Sequence, residues 1–274
     1  MNIQLSQFKH FASSAWALIW QTARLPVGLI SCIPVVMLMA RTGSSPAHVS
    51  LAALPIAFIT MAGFLLNDIF DEKRDLHKGP RKPIAFGSVA RSSAQIATIA
   101  LVVSGIALAV LTSHAGSVFV IVSSVIGVFL YSPIARRVPV LKGAITAILC
   151  CTPFLYASAL TGVQFPAAYY FLLTLFIVGR ELLLDVRDFQ WDRASGMKTL
   201  VEYLTPTVSQ IFGWVLMILS LIGLTAYSTD ISRMIFETAT VALVGTGLIY
   251  LYDNKKGLAA SRLVLLLATI AAAS

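Results

Sequence analysis

Acid is what this chain has least of. Its 274 residues include 12 Asp and Glu against 20 Lys and Arg, and charged residues make up only 12% of the whole. A soluble domain carries about a quarter charged residues, so this composition excludes a water-facing globule and belongs to the membrane class. Charge is also missing in long runs: no Asp, Glu, Lys or Arg occurs between Arg41 and Asp68, Arg91 and Arg136, Lys142 and Arg180, or Glu202 and Asp230. Cysteine is scarce. Cys32, Cys150 and Cys151 fall inside apolar stretches without metal-ligand spacing and read as small packing residues. The four histidines are dispersed, and no P-loop, dinucleotide fingerprint or nucleophile elbow appears. Lys9 and His10 precede an apolar stretch, but no short core with a small-residue cleavage site follows before Arg24, so a cleaved leader is not expected.

The uncharged runs define the fold class. A helix needs about 20 apolar residues to cross a bilayer. On that measure the chain holds nine spans, at roughly 16–40, 48–68, 92–112, 117–134, 143–161, 167–185, 207–227, 234–252 and 258–273. Arg24, Pro26 and Pro34 interrupt the first of them. The expectation is an all-α integral membrane bundle of about nine helices forming one domain over residues 1–274. The net charge of +8 could suggest nucleic acid, but its distribution argues otherwise. With nine spans, sixteen of the 20 basic residues share one side with the N-terminus. The positive-inside rule makes that side cytoplasmic. Lipid, not nucleic acid, is the expected surroundings, and Tyr250 and Tyr252 in "GLIYLYDNKKGL" read as part of an interfacial aromatic belt.

Against this scarcity, eight of the twelve acids crowd into two short runs. "NDIFDEKRD" (67–75) holds Asp68, Asp71, Glu72 and Asp75; "ELLLDVRDFQWD" (181–192) holds Glu181, Asp185, Asp188 and Asp192. The aspartates of both runs are spaced three and then four apart, so on a helix each trio lies on one face. Like charges at such spacing repel, and a chain keeps them together when a cation compensates. A set of hard oxygen ligands, with Asn67 beside the first trio, suits Mg²⁺, which takes one or two carboxylates and bridges to substrate phosphates. Neither run has the order of a calcium-binding loop. Both lie at cytoplasmic helix ends beside basic loops, which counts against a transporter's midplane cation site.

"NDIFDEKRD" resembles the first aspartate motif of the UbiA superfamily of intramembrane prenyltransferases. "DVRDFQWDRASGMKTL" resembles the second motif with its tail of Gly196, Thr199 and Leu200. "RKPIAFG" (81–87) and "YSPIARRVPVLKG" (131–143) are similar to two further segments of that superfamily, in the same order. The chain departs from the pattern at Ala135, where many relatives carry Lys, and Arg136 stands one position along. The resemblance implies a nine-helix bundle around a central cavity capped by the motif-bearing loops, with Mg²⁺-dependent use of an allylic isoprenyl diphosphate. Asn67, Asp71, Asp188 and Asp192 are then the nearest metal ligands, and Asp68, Asp75 and Asp185 join or support them. Asp71, Asp75, Asp188 and Asp192 are the expected catalytic set. Arg81, Lys82, Tyr131, Arg136, Lys142 and Arg187 are the candidate diphosphate contacts, and Arg24 the candidate contact to an anionic acceptor.

Such a site ionises an allylic C–O bond, and the cation needs a dry channel. Phe58, Phe64, Phe129, Phe154, Tyr156, Phe171 and Phe176 are its candidate aromatic lining. The expected reaction passes the isoprenyl group to an acceptor, most simply an electron-rich aromatic ring. A terpene cyclase, in which the chain's own double bond attacks, needs the same metal site and is the alternative. Replacing Asp71 or Asp192 with Ala is expected to abolish turnover of allylic diphosphate while membrane insertion persists; full activity in both variants would remove the metal-site reading.

Overall fold

Each charge gap becomes helix. The computed structural model describes residues 14–78, 82–112, 115–228, 230–252 and 254–273. Among the described residues, seven helical stretches are long and apolar enough to cross a membrane. They are α1 (Ser14–Arg41), α2 (Pro46–Phe70), α3 (Arg91–Thr112), α4 (Ala115–Arg137), α5 (Pro139–Thr161), α6 (Ala167–Ala194) and α7 (Pro206–Ala226). Two more long helices follow, α8 (Asp230–Tyr252) and α9 (Asn254–Ala273), and no strand occurs among the described residues. The chain is an all-α integral membrane protein. In hydrocarbon, backbone polar groups must be satisfied internally, and helices do this within one segment.

Local chemistry sets the boundaries. Pro46, Pro139 and Pro206 open α2, α5 and α7, where a residue without N–H costs nothing. The interruption expected in the first span is real. A π-helical turn at Ala17–Thr22 gives way at Arg24, whose φ of 54° is left-handed, and α-helix resumes at Leu25–Ser31 and Ile33–Arg41.

Two boundaries differ from the sequence expectation, both at the acidic runs. The sixth span was expected to stop near residue 185, yet α6 continues to Ala194, so the whole second run is helical. Its end is capped by Gly196 at φ 73°: Gly196 N–H donates to Arg193 O at 3.1 Å and Met197 N–H to Asp192 O at 2.9 Å. That pair of bonds is a Schellman cap, which explains the glycine in the motif's tail. The first run is bent instead. α2 ends at Phe70, Asp71 sits at φ −83° and ψ 3°, and one turn of helix follows at Glu72–Asp75. Asp71 N–H to Asn67 O and Asp75 N–H to Asp71 O, both 2.8 Å, keep the helical pitch through the bend.

The helices close a ring. Successive neighbours pack from α1 through α9, α2 also meets α4, and α9 returns against the second half of α1. Small residues permit the closest approaches, as is usual where lipid removes the hydrophobic drive between helices. A Cβ at Gly179 of α6 would stand 2.5 Å from Gly213 O of α7, and one at Gly213 would stand 2.7 Å from Gly179 O. Tyr250 corrects one expectation. It is fully buried, edge-on to Trp214 with centroids 5.5 Å apart, because Gly257 at the start of α9 lets that helix close over its backbone. Tyr250 is therefore not part of an interfacial belt.

The Gly179–Gly213 contact fixes α6, and with it the second acidic run. Gly179→Ala places a methyl inside backbone contact distance, and overpacking of this kind costs about 1–3 kcal/mol. Its thermal unfolding midpoint in detergent is expected to fall by several degrees. Gly245→Ala, on α8 with nothing within 4 Å of the new Cβ, should leave the midpoint in place.

Candidate active site

The ring brings the ends of α2 and α6 together, so the two runs meet. Asp68, Asp71, Asp75, Asp185 and Asp192 are all buried, and Asp188 is half-buried. Carboxylates this concentrated in a poorly hydrated place need cations. At 4 Å and an effective dielectric of 20, one unit-charge pair is worth about 4 kcal/mol. The chain supplies the cations from five places.

Lys82, from the loop after the first run, lies 3.2 Å from Asp68 Oδ1 and 2.9 Å from Asp75 Oδ2. Lys142, at the start of α5, pairs with Asp185. Arg187 pairs with its neighbour Asp188 at 2.5 Å. Tyr131 of α4 lies near Lys142, Glu181 and Asp71. Asn67 Nδ2 donates to Asp71 Oδ2 at 3.2 Å, presenting its amide to the metal-candidate carboxylate. Arg81 lies outside the described residues, as does the side chain of Arg136.

Arg24 reaches the same place. Its Nη2 is 3.5 Å from Asp68 Oδ1 and its guanidinium carbon lies 4.4 Å from the centre of the Phe64 ring. A left-handed non-glycine residue costs roughly 1–2 kcal/mol. The break in α1 turns this side chain towards the acids, and a charge inside a span is kept when it is paired. Its side chain is 38% exposed, which leaves part of the guanidinium available to an anion.

Sequence reasoning counted Arg74 only among the basic residues of a cytoplasmic loop. In the structure its guanidinium joins the runs. It pairs with Asp71, lies 3.7 Å from Asp75 Oδ1 and 3.7 Å from Asp192 Oδ1, and donates to Met197 Sδ at 3.4 Å. Burial alone would lower this guanidinium's pKa, but Asp71, Asp192, Asp75 and Asp188 outweigh it and hold the group above the usual arginine value. The signal was present: Arg74 follows Asp71 by three, the spacing that puts opposite charges side by side on a helix.

The aromatic lining divides. Phe64 meets Arg24, and Phe154, Tyr156 and Phe176 are buried. Phe171, however, is 62% exposed and Phe129 44% exposed.

The oxygen donors fit a hard divalent cation in type and in number. Among the described residues, though, no three His, Cys, Asp or Glu side chains converge closely enough to hold a metal ion. Protein cations stand among the carboxylates instead.

Known proteins resemble this chain in sequence and in fold. Digeranylgeranylglyceryl phosphate synthase of Methanoculleus marisnigri is 34% identical over 165 residues, 58% of this chain and 58% of that protein. The enzyme of the same name from Saccharolobus solfataricus is 27% identical over 179 residues, 63% of this chain and 62% of that protein. The match thus spans less than two thirds of the length of these curated relatives. Among solved structures, a UbiA homologue from Aeropyrum pernix K1 superposes with a TM-score of 0.74 at 19% identity, covering 91% of this chain and 97% of that one. A UbiA homologue from Archaeoglobus fulgidus bound to GPP and Mg²⁺ gives a TM-score of 0.68 at 16% identity, covering 93% and 98%. These likenesses establish a shared fold. The sequence model of the UbiA prenyltransferase family matches residues 28–270, from within α1 almost to the end of α9, and the chain belongs to that family.

Proposed function

We propose that the chain transfers an isoprenyl group from an allylic isoprenyl diphosphate to an acceptor inside the membrane, in a Mg²⁺-dependent reaction. The observation that carries this reading is the meeting of two aspartate trios, five of the six carboxylates buried, at the end of α2 with the turn after it and on α6, with basic side chains between them. A homologue that binds GPP with Mg²⁺ shares the fold. Asn67, Asp71, Asp188 and Asp192 would hold the metal, with Asp68, Asp75 and Asp185 beside them. Bound there, Mg²⁺ supplies charge neutralisation of the diphosphate as it leaves, without proton transfer.

The chain's own residues do the rest. Lys82 and Lys142 sit at the rim of the acids, where an ammonium can pass from carboxylate to diphosphate oxygen. Tyr131 can donate its hydroxyl to the same oxygens. Arg187 stands beside the second run, and Arg136 and Arg81 complete the proposed diphosphate set. The buried apolar core beneath the site excludes water that would quench the allylic cation. The basic helix ends favour a site on the cytoplasmic side, with the N-terminus also inside.

The acceptor is where the relatives alter the expectation. An aromatic ring was the simplest acceptor from sequence, and it rests on the family resemblance alone. The curated relatives are named for a glyceryl phosphate product, and Arg24, partly exposed beside Asp68, suits a phosphate. The acceptor we propose is the free hydroxyl of a monoalkyl glyceryl phosphate. The hydroxyl oxygen attacks C1 of the allylic chain, the C1–O bond to diphosphate breaks, and the hydroxyl proton is lost.

Purified protein in lipid with Mg²⁺ and C10, C15 or C20 allylic diphosphate is expected to form a second ether chain on that acceptor. Arg24→Gln should raise the KM for the acceptor at least tenfold while changing the KM for the donor little. Prenylation of phenolic acids instead would restore the aromatic acceptor, and release of a cyclic hydrocarbon without any acceptor would make the protein a cyclase.

A further inference from the structure

The acids are compensated in two different ways. Lys82 serves the first run and Lys142 the second. Arg74 spans both: its three nitrogens address Asp71, Asp75 and Asp192 from a side chain that is 14% exposed. Two of those carboxylates, Asp71 and Asp192, belong to the proposed metal ligands. Carboxylate oxygens around Mg²⁺ lie about 2.1 Å from the ion, so they cannot clasp a metal and keep a guanidinium wedged between them.

We propose that Arg74 is the resident counter-cation of the aspartate site, one that competes with divalent metal for Asp71 and Asp192 and must leave them before metal can bind. The inference rests on the metal-site reading above and deepens it. In the absence of donor, the guanidinium holds the two runs at a workable distance and prevents their mutual repulsion. Its departure needs a new partner, because a buried charge stripped of its counter-charge is strongly unfavourable. A diphosphate is such a partner, since its oxygens match the planar fork of a guanidinium. Arg74 lies on the one-turn helix Glu72–Asp75, just beyond the bend at Asp71, where a small backbone rotation redirects the side chain without moving α2. Exchange then proceeds in one direction: metal takes the carboxylates while Arg74 takes diphosphate oxygen. Metal alone offers Arg74 nothing, so the site favours metal and donor together.

The test reads metal binding without donor. Purified protein in lipid is titrated with Mn²⁺, and free Mn²⁺ is followed by electron paramagnetic resonance. Wild type is expected to bind weakly. Arg74→Met, which keeps the length of the side chain and removes its charge, should bind Mn²⁺ at least tenfold more tightly. Arg74→Lys, a compact ammonium that cannot address both runs at once, should fall between the two and serves if the Met variant fails to fold. Unchanged or weaker Mn²⁺ binding in whichever variant is folded would overturn the proposal. Asp192→Asn keeps the two readings apart. Loss of Mn²⁺ binding there with no gain in the Arg74 variants would leave the metal site standing and remove the competitor. Binding to none of the four proteins would remove both.

Discussion

Everything at the functional end of this molecule follows from placing six aspartates where water is scarce. Isolated in such a medium, a carboxylate is costly, and six together repel one another. The fold answers by drawing cations from well-separated parts of the chain: Arg24 from the break in α1, Arg74 from the bend after α2, Lys82 from the following loop and Lys142 from the start of α5. Each of these pairs crosses between elements or fixes a turn. The electrostatic problem therefore becomes a set of tertiary constraints, and the helices that carry the acids are held by the same contacts that neutralise them.

This coupling explains features that look like defects in isolation. A left-handed arginine inside a membrane span is unfavourable by backbone and by charge, yet it sets Arg24 against Asp68 and Phe64. The bend at Asp71 interrupts a helix that would otherwise run on, yet it turns Arg74 towards α6. α6 needs no such bend. Its face already looks across to α2, and Gly196 stops it one turn after Asp192 so that Met197 can fold back under Arg74. The two motifs share a spacing in sequence and differ in backbone: the first bends and its Arg74 reaches across to Asp192, while Arg187 of the straight second motif pairs with its own neighbour Asp188.

Much of the architecture was legible in the sequence. Charge is excluded from hydrocarbon so strongly that uncharged runs mark spans without further help, and the bounds of α2, α3 and α7 lie within two or three residues of those read from charge alone. The aspartates were legible for the converse reason, since acids crowded at matched spacing in an acid-poor chain stand out. What sequence could not supply was direction across the ring. Phe171 and Phe176 are both aromatics on one apolar helix, yet Phe171 is exposed and Phe176 is fully buried, and a span apolar on all sides offers no moment to tell them apart. Tyr250 was misplaced because its burial depends on Gly257 seven residues later.

Arg74 is the instructive miss. In a membrane protein, basic residues at cytoplasmic helix ends have a ready explanation as topology signals, and that explanation absorbs individual arginines without asking what each one touches. Topology needs net positive charge within a loop; it is indifferent to position. Arg74 is not indifferent, because one residue either way around the one-turn helix would carry its guanidinium off the face shared by Asp71 and Asp75. A cation that must sit at one register, among carboxylates that must also serve another ligand, is constrained by chemistry as well as by orientation in the bilayer. The same logic extends to Lys142, buried against Asp185 at the mouth of α5, which a charge count also assigns to the loop. Arg24, Arg74, Lys82 and Lys142 each have an acidic partner outside their own element, and it is that partner, not the charge, which ties them to the site.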